Sequence, residues 1–386
     1  MSSASEPVLG IDLGTTYSTA ALVVNGKFHY ATDERAEACI PSVVHFPKAG
    51  APIVGAEAER VRATDPENTI WAIKRVIARP LDSPQARRLQ ASAAFKLVAP
   101  GNANVKVRTR SGDYGADEIA AIIVRHLRER AQQRFGRQFT KAVMTVPVVG
   151  TARIEQEMVK IGRMAGLEVT RVIPEPVAGA LARGIAGASD DGKPRLIFDF
   201  GGGTLDVSIV QNVDRAVKVL GVGGDDSLGG DDFDTAFARD VASHVWGHHK
   251  LDVSRDAILS DTIQRTCEKV KRLLSTMENA RYFIREALGA AGRHWNIDLN
   301  VTRHHMAKVW LELVARAVTV AQETLRGALP QSALARVSLI GGTTFLPMVR
   351  TAVADSLKVP LDVENDPQTA VARGAAFLGA FPALIR

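Results

Sequence analysis

Leu196-Ile197-Phe198-Asp199-Phe200-Gly201-Gly202-Gly203-Thr204-Leu205-Asp206 is an apolar run that ends near an acid, passes through three glycines and a threonine, and resumes as an apolar run. Apolar and aromatic residues on both sides of a glycine turn predict a β-hairpin. The same grammar stands near the start of the chain, in Val8-Leu9-Gly10-Ile11-Asp12-Leu13-Gly14-Thr15-Thr16-Tyr17, with Thr19 to Val24 as the returning strand. Two like units point to a duplication. A third, weaker glycine turn is Ser338-Leu339-Ile340-Gly341-Gly342-Thr343-Thr344.

Helical periodicity fills the intervals. Ile119, Ile122, Ile123 and Leu127 share one face, as do Ile154, Met158, Ile161 and Ala165, and Val309, Leu313, Ala317 and Val320 define a third. Strands mixed with helices predict layered α/β architecture. The small, polar stretch from Ala186 to Pro194 precedes the second hairpin and marks a lobe boundary. The division expected is therefore 1–190 for lobe I and 191–366 for lobe II, with a C-terminal helix, 367–386, returning to lobe I. Asp366-Pro367 offers that helix an N-cap and a first-turn proline, with its body over Gln368 to Leu378.

The composition excludes several classes. A chain of 386 residues with 46% hydrophobic and 23% charged residues is globular, with two domains' worth of core. The formal charge of +6 is scattered and aromatics are 5%, so no nucleic-acid surface is expected. Cys39 and Cys267 are far apart and lack partners at zinc spacing. They fit a reduced, cytoplasmic compartment. No apolar run approaches the ~18 residues of a membrane span.

A turn such as Gly201-Gly202-Gly203-Thr204 can bring backbone N–H groups close around an anion, phosphate above all, because glycine has no Cβ. The turns here join strand to strand, and no Gly-x4-Gly-Lys-Ser/Thr string occurs, so a P-loop enzyme is excluded. If the two hairpins face one another, Asp12 and Asp199 enter a shared cleft beside phosphate-binding amides. Carboxylates there would repel phosphate unless a cation intervened, so the arrangement implies Mg²⁺ at Asp12 and Asp199, held mostly through water. The bland alternative for each acid is turn capping.

At this point the chain resembles the nucleotide-binding domain of the 70-kilodalton heat-shock chaperones of the DnaK type, within the actin-like ATPase superfamily. The resemblance rests on six ordered strings spread over nearly the whole chain. They are Ile11 to Ser18, Ala72-Ile73-Lys74-Arg75, Thr145-Val146-Pro147 with Ile173-Pro174-Glu175-Pro176, Asp199 to Asp206, Leu228 to Asp234, and Cys267 to Ser275. It implies an actin-like α/β fold, two lobes around a deep cleft, and hydrolysis of ATP to ADP with Mg²⁺ and, as a further family expectation, K⁺.

By the same resemblance Lys74 places a cation by the γ-phosphate, and Glu175, Asp199 and Asp206 position the attacking water and the ions. Asp199 is the first choice as proton acceptor. Thr204 hydrogen-bonds the γ-phosphate, and Gly14, Thr15, Thr16 and Tyr17 cradle the phosphates opposite Gly201, Gly202, Gly203 and Gly230. Glu268, Lys271, Arg272 and Ser275 fall at i, i+3, i+4 and i+7 and so share one helix face. The resemblance makes them the adenosine wall: Glu268 and Lys271 for ribose, Ser275 for the base, Arg272 to stack on adenine. Gly341 and Gly342 then form the opposite wall.

Departures from the family pattern concern coupling more than hydrolysis. Phe345 stands where an adenine-stacking Arg is usual, Gln368 replaces an acid, Glu155 reverses the charge of a relay Arg, and Pro174 replaces an Asn. The chain ends at Arg386 with no leucine-rich linker, β-sandwich or helical lid, so the substrate-binding domain is absent from it; a natural stand-alone version is favoured over a fragment. A protein partner is expected: a cochaperone, an exchange factor or a client adaptor. The competing expectation is a nucleotide-gated adaptor with little or no hydrolysis. A cytoskeletal filament shares the cleft but lacks two of the strings, and a sugar kinase lacks a recognisable sugar pocket.

Overall fold

The computed structural model describes residues 7–99, 104–147, 152–184, 192–213, 216–290, 293–363 and 366–382. Residues 186–191 of the expected lobe boundary, the string 148–150 and the last four residues lie outside the described part. Both hairpins are present. Strands β1 (Val8–Asp12) and β2 (Tyr17–Val24) pair antiparallel, with Gly10 opposite Ala21 and Asp12 opposite Thr19. The sheet continues through β3 (Lys27–Tyr30) on one side, and through β4 (Lys141–Val146) and β5 (Glu168–Pro174) on the other, in the order β5-β4-β1-β2-β3.

The second sheet repeats this plan. Strands β6 (Arg195–Phe200), β7 (Leu205–Val213) and β8 (Ala216–Asp225) form the antiparallel meander, and β9 (Arg336–Ile340) and β10 (Leu361–Val363) add parallel strands beyond β6. Its order is β8-β7-β6-β9-β10. In both sheets the first strand is the central one, antiparallel to the second and parallel to the fourth. The duplication read from two turns is thus a duplication of sheet topology, and the fold is mixed α/β as expected.

Parallel neighbours need crossovers, and helices supply them. In the first half these are α1 (Ala116–Phe135) and α2 (Ala152–Met164), whose buried residues include Ile119, Ile123, Leu127, Met158 and Ile161. After β5 comes α3 (Glu175–Gly184). In the second half the helices are α4 (Gly230–His249), α5 (Ala257–Leu274), α6 (Arg303–Val309), α7 (Leu311–Ala328) and α8 (Pro347–Leu357), followed by α9 (Ala370–Ala380) after β10. No helix among the described residues is long and apolar enough to cross a membrane.

Two expectations need correction. Val309, Leu313, Ala317 and Val320 all pack on the core but do not belong to one helix, because the chain breaks at Trp310 between α6 and α7; α7 buries Val314, Ala317, Ala321 and Leu325 most deeply, with Leu313 and Val320 partly buried beside them. The Trp310 indole is fully buried, donates Nε1–H to the Phe233 carbonyl at 2.9 Å, and leans on the Phe233 ring at 5.5 Å. Ring pairs of this kind add ~0.5–1.5 kcal/mol beyond burial, enough to outweigh helical propensity over one turn. The last helix starts two residues later than expected, with Thr369 at its N-cap; Asp366 does not cap it but accepts the Thr369 hydroxyl at 2.6 Å.

Helices α3 and α9 meet where the two sheets approach each other. A Cβ on Gly374 would lie 1.7 Å from the Ala178 carbonyl oxygen, and one on Gly10 would lie 2.0 Å from the Ala376 nitrogen. Only glycine allows α9 to touch α3 and β1 at once. Around this crossing Val143, Ile173 and Ala178 pack with Ile197, Ile340 and Ala375, one apolar cluster drawing on both sheets. It forms the floor of a cleft.

Candidate functional site

The two hairpin turns face each other across that cleft, in contact. A Cβ on Gly202 would sit 1.9 Å from Thr16 Oγ1, and one on Gly203 would sit 2.6 Å from Thr15 Oγ1. Neither glycine has a positive φ, so close approach and not backbone twist requires them. Gly341 is the opposite case: at φ +82° it sits in the left-handed region, and a Cβ there would meet the Phe200 carbonyl at 2.4 Å. Thr343 donates its hydroxyl to the Gly201 carbonyl at 2.8 Å and ties the third glycine turn to the second.

A cavity of about 280 Å³ lies between these turns. It is lined by Asp12, Gly14, Thr15, Thr16 and Tyr17 from the first hairpin, and by Asp199, Gly201, Gly202, Gly203 and Thr204 from the second. Lys74 and Glu175 reach its inner end; Gly230, Glu268, Lys271, Arg272, Ser275, Gly341, Gly342 and Phe345 line its outer part. Of the residues nominated from sequence, Asp206 alone is not on this wall. It is buried directly across the strand pair from Asp199 and faces a smaller cavity that also touches Lys74, Thr145 and Thr204.

Charge is unbalanced at the inner end. Lys74 Nζ donates to Glu175 Oε1 at 2.6 Å, and Thr145 donates its hydroxyl to Asp12 Oδ1 at 3.3 Å. Burial pushes Asp12 up to about 6; the Lys74 ammonium pulls it back, and Glu175 pushes it up again. Burial also lifts Asp199 well above the carboxylate range, helped by Glu175, Asp206 and Asp12. Burial alone would lower Lys74, but Glu175 and Asp12 outweigh it and hold the ammonium charged. Among the described residues Lys74 is the cation acting on Asp12, Glu175 and Asp199 together, so the donor set fits a hard divalent ion that would add positive charge there.

The outer end is polar and cross-linked. Tyr17 donates to Glu268 Oε1 at 3.0 Å and accepts from Arg272 Nη1 at 2.8 Å, joining β2 to α5. Lys271 Nζ donates to Asp234 Oδ2 at 2.6 Å and to the Gly230 carbonyl at 2.7 Å. Burial raises Asp234 to about 8 against the pull of Lys271. The sequence reading did not nominate Asp234 or its neighbour Asp231, which accepts from Thr16 Oγ1 at 3.2 Å and from Arg75 Nη2 at 3.1 Å. Acids in the first turn of a helix such as α4 read as partners of the helix dipole, and only the Asp231-x-x-Asp234 spacing hinted at one inward face. Phe345 lines the wall with Arg350 stacked behind it, 5.7 Å from guanidinium carbon to ring centroid. Gln368 lies beside Gly342, where a Cβ would be 2.8 Å from its Nε2.

Further ties cross the cleft mouth. Arg62, after the short helix Ala56–Val61, grips Asp261 of α5 with Nε at 2.8 Å and Nη2 at 2.7 Å, over the Trp71 ring at 4.4 Å. On the inner side Gln85 donates to Asp226 Oδ2 at 2.6 Å. Glu155, expected from the resemblance at a relay position, is exposed on α2.

Comparison with known proteins agrees with this geometry. The sequence profile of the family described as "Hsp70 protein" matches residues 8–382. The chain is 32% identical over 382 residues to the chaperone protein DnaK of Stenotrophomonas maltophilia (strain R551-3), covering 96% of this chain and 59% of that protein. It is 31% identical over 376 residues to the chaperone protein dnaK of Cyanidium caldarium, covering 97% and 60%. The chain spans about three-fifths of the length of these curated relatives. With its duplicated α/β sheets and its facing glycine turns, the chain belongs to the Hsp70 family.

Proposed function

We propose that the cleft binds ATP with Mg²⁺ and slowly hydrolyses its terminal phosphate, and that a protein partner reads the resulting angle between two lobes, 1–190 with 367–386 and 191–366. The observation that carries this reading is the pair of glycine turns in contact, with Lys74 and an excess of carboxylates at their inner end. The backbone N–H groups of Thr15 and Thr16 and of Gly202 to Thr204 hold the phosphate chain from both sides, while those of Gly14 and Gly201 brace the turns by donating to Ser18 Oγ and the Thr204 carbonyl, and the Thr204 hydroxyl bonds the γ-phosphate. Lys74, kept charged by Glu175, stabilises the negative charge that grows on the transferred group.

Asp199 accepts the proton of the attacking water as general base, in its carboxylate form, which a cation bound beside it would favour against burial. Glu175 and Asp206 orient that water. Mg²⁺ supplies charge neutralisation on the phosphate oxygens. No three His, Cys, Asp or Glu side chains among the described residues are placed to hold a metal together. Asp12 and Asp199 would hold the ion mainly through water, as Mg²⁺ prefers. Potassium beside it would add further cationic charge. The adenosine rests between Glu268, Lys271, Arg272 and Ser275 on one side and Gly341, Gly342 and Phe345 on the other. The partner is a cochaperone, exchange factor or client adaptor, met in the cytoplasm.

Single-turnover hydrolysis of bound ATP tests the reading. Wild type converts ATP to ADP on a minutes timescale or faster, whereas Lys74→Ala and Asp199→Asn fall by roughly 10²-fold or more, as loss of a transition-state partner does. Equal rates in wild type and Lys74→Ala would leave a nucleotide-gated binding module instead.

A further inference from the structure

The histidines are unevenly placed: six of the nine, His244, His248, His249, His294, His304 and His305, fall in one stretch of 62 residues. Two of them stand one turn apart near the end of α4, in His244-Val245-Trp246-Gly247-His248. Residues at i and i+4 project from the same helix face, so two imidazoles with this spacing can reach one ion. Both side chains are exposed, and their rings are stacked with centroids 4.0 Å apart and planes inclined by 24°.

The hydrogen bonding already sets up a ligand. His248 Nδ1 is 2.9 Å from the His244 carbonyl oxygen. A carbonyl can only accept, so Nδ1 carries the proton and the Nε2 lone pair is left facing solvent. A ring that donates one N–H to a backbone carbonyl and presents the other nitrogen is how metal-bound histidine is held. One turn back, Asp240 lies on the same face and is paired with His305 Nε2 at 2.8 Å, bringing α6 against α4 at this point.

We propose that His244 and His248 form a two-imidazole chelate for a divalent, borderline-soft transition ion of the Zn²⁺ or Cu²⁺ class, at the end of α4 opposite to the nucleotide cleft. A modest splay of the stacked rings turns both Nε2 lone pairs onto one point, and water completes the coordination sphere, since no third protein ligand converges there among the described residues. Nitrogen donors select such ions over Mg²⁺, so the site does not compete with the carboxylates of the cleft.

The test uses the full chain without a histidine tag. Titration with Zn²⁺ by calorimetry, and with Cu²⁺ by electron paramagnetic resonance, is expected to show one saturable site with nitrogen coupling from two imidazoles. His244→Asn and His248→Asn should each weaken it by about tenfold or more, a loss at least as large as that from removing an outer partner of a metal ligand. The double substitution His304→Asn, His305→Asn should leave the site in place. Absence of saturable binding, or binding that survives both His244→Asn and His248→Asn, overturns the proposal. Loss that follows His304 and His305 instead does so too. Circular dichroism of each variant separates loss of the ligand from loss of the fold.

Discussion

Gly202 lies against Thr16 so closely that a Cβ on the glycine would stand 1.9 Å from the threonine Oγ1. The two residues come from turns 186 positions apart in sequence, and their contact brings the two glycine turns together. Gly202→Ala is expected to wedge the turns apart. Overpacking of this kind costs about 1–3 kcal/mol, or roughly 5- to 150-fold in nucleotide affinity. Calorimetric titration with ADP measures it. Thr16→Gly in the same chain should recover part of the loss, and no recovery would mean that the two residues do not limit each other.

Lys74 is the one cation facing Asp12, Glu175 and Asp199 among the described residues of that pocket. Its removal leaves buried carboxylates unpaired, and breaking a buried pair in this way costs ~3–5 kcal/mol. Urea denaturation of Lys74→Ala without nucleotide should show a loss of that order, recovered in part by millimolar Mg²⁺. A variant as stable as wild type would mean that water already screens the cluster.

The pH dependence follows from Asp12, whose value is about 6 in the fold against an ordinary 3.8. The folded state holds this proton more tightly than the unfolded chain does. The stabilisation is therefore present in full below the ordinary value and is lost as pH rises through about 6. Apo protein should weaken between about pH 4 and pH 7 relative to Asp12→Asn, which lacks that titration. The same proton opposes a cation, so Mg²⁺ affinity should fall as pH drops below about 6. Parallel wild-type and Asp12→Asn stability curves would contradict this assignment.

The Arg62 clasp on Asp261 bridges the cleft mouth, both side chains being 9% exposed. Arg62→Ala strands the Asp261 carboxylate and leaves α5 tied to the helix Ala56–Val61 through Arg265 and Glu59, 2.9 Å apart. Faster release of a fluorescent ADP analogue is expected, by about tenfold for each ~1.4 kcal/mol of clasp strength. Stopped-flow displacement reads it directly, and unchanged release would show that the mouth is held elsewhere.

Gly374 meets the Ala178 carbonyl at 1.7 Å for a notional Cβ, and the neighbour is backbone, which cannot swing aside. Gly374→Ala should lower stability by ~1–3 kcal/mol or more. It should also shift the spacing of α3 and α9. A thermal midpoint equal to wild type would mean that the helices slide apart freely.

Much of the fold was legible in residue order because its signals are local. Apolar runs around Asp12-Leu13-Gly14 and Asp199-Phe200-Gly201 specify hairpins through β propensity and glycine freedom, and α1 and α2 announce their buried faces by period. The break at Trp310 was not legible, because a single indole finding the Phe233 carbonyl is a contact between residues 77 positions apart. Asp231 and Asp234 escaped for a related reason. Their role depends on Arg75 and Lys271 arriving from other elements, and nothing in the local string says that they arrive.

Sequence alone thus determined the kinds of chemistry available: two glycine turns able to bare their amides, a lysine, a set of acids, and a polar helix face at Glu268, Lys271, Arg272 and Ser275. Tertiary structure alone decided that the turns touch, that Lys74 pairs with Glu175, and that Lys271 is held by Asp234. The reason is physical. Propensity and period act over a few residues, whereas proton affinity and contact depend on which charges and atoms the packing of α3 and α9 between two sheets forces together.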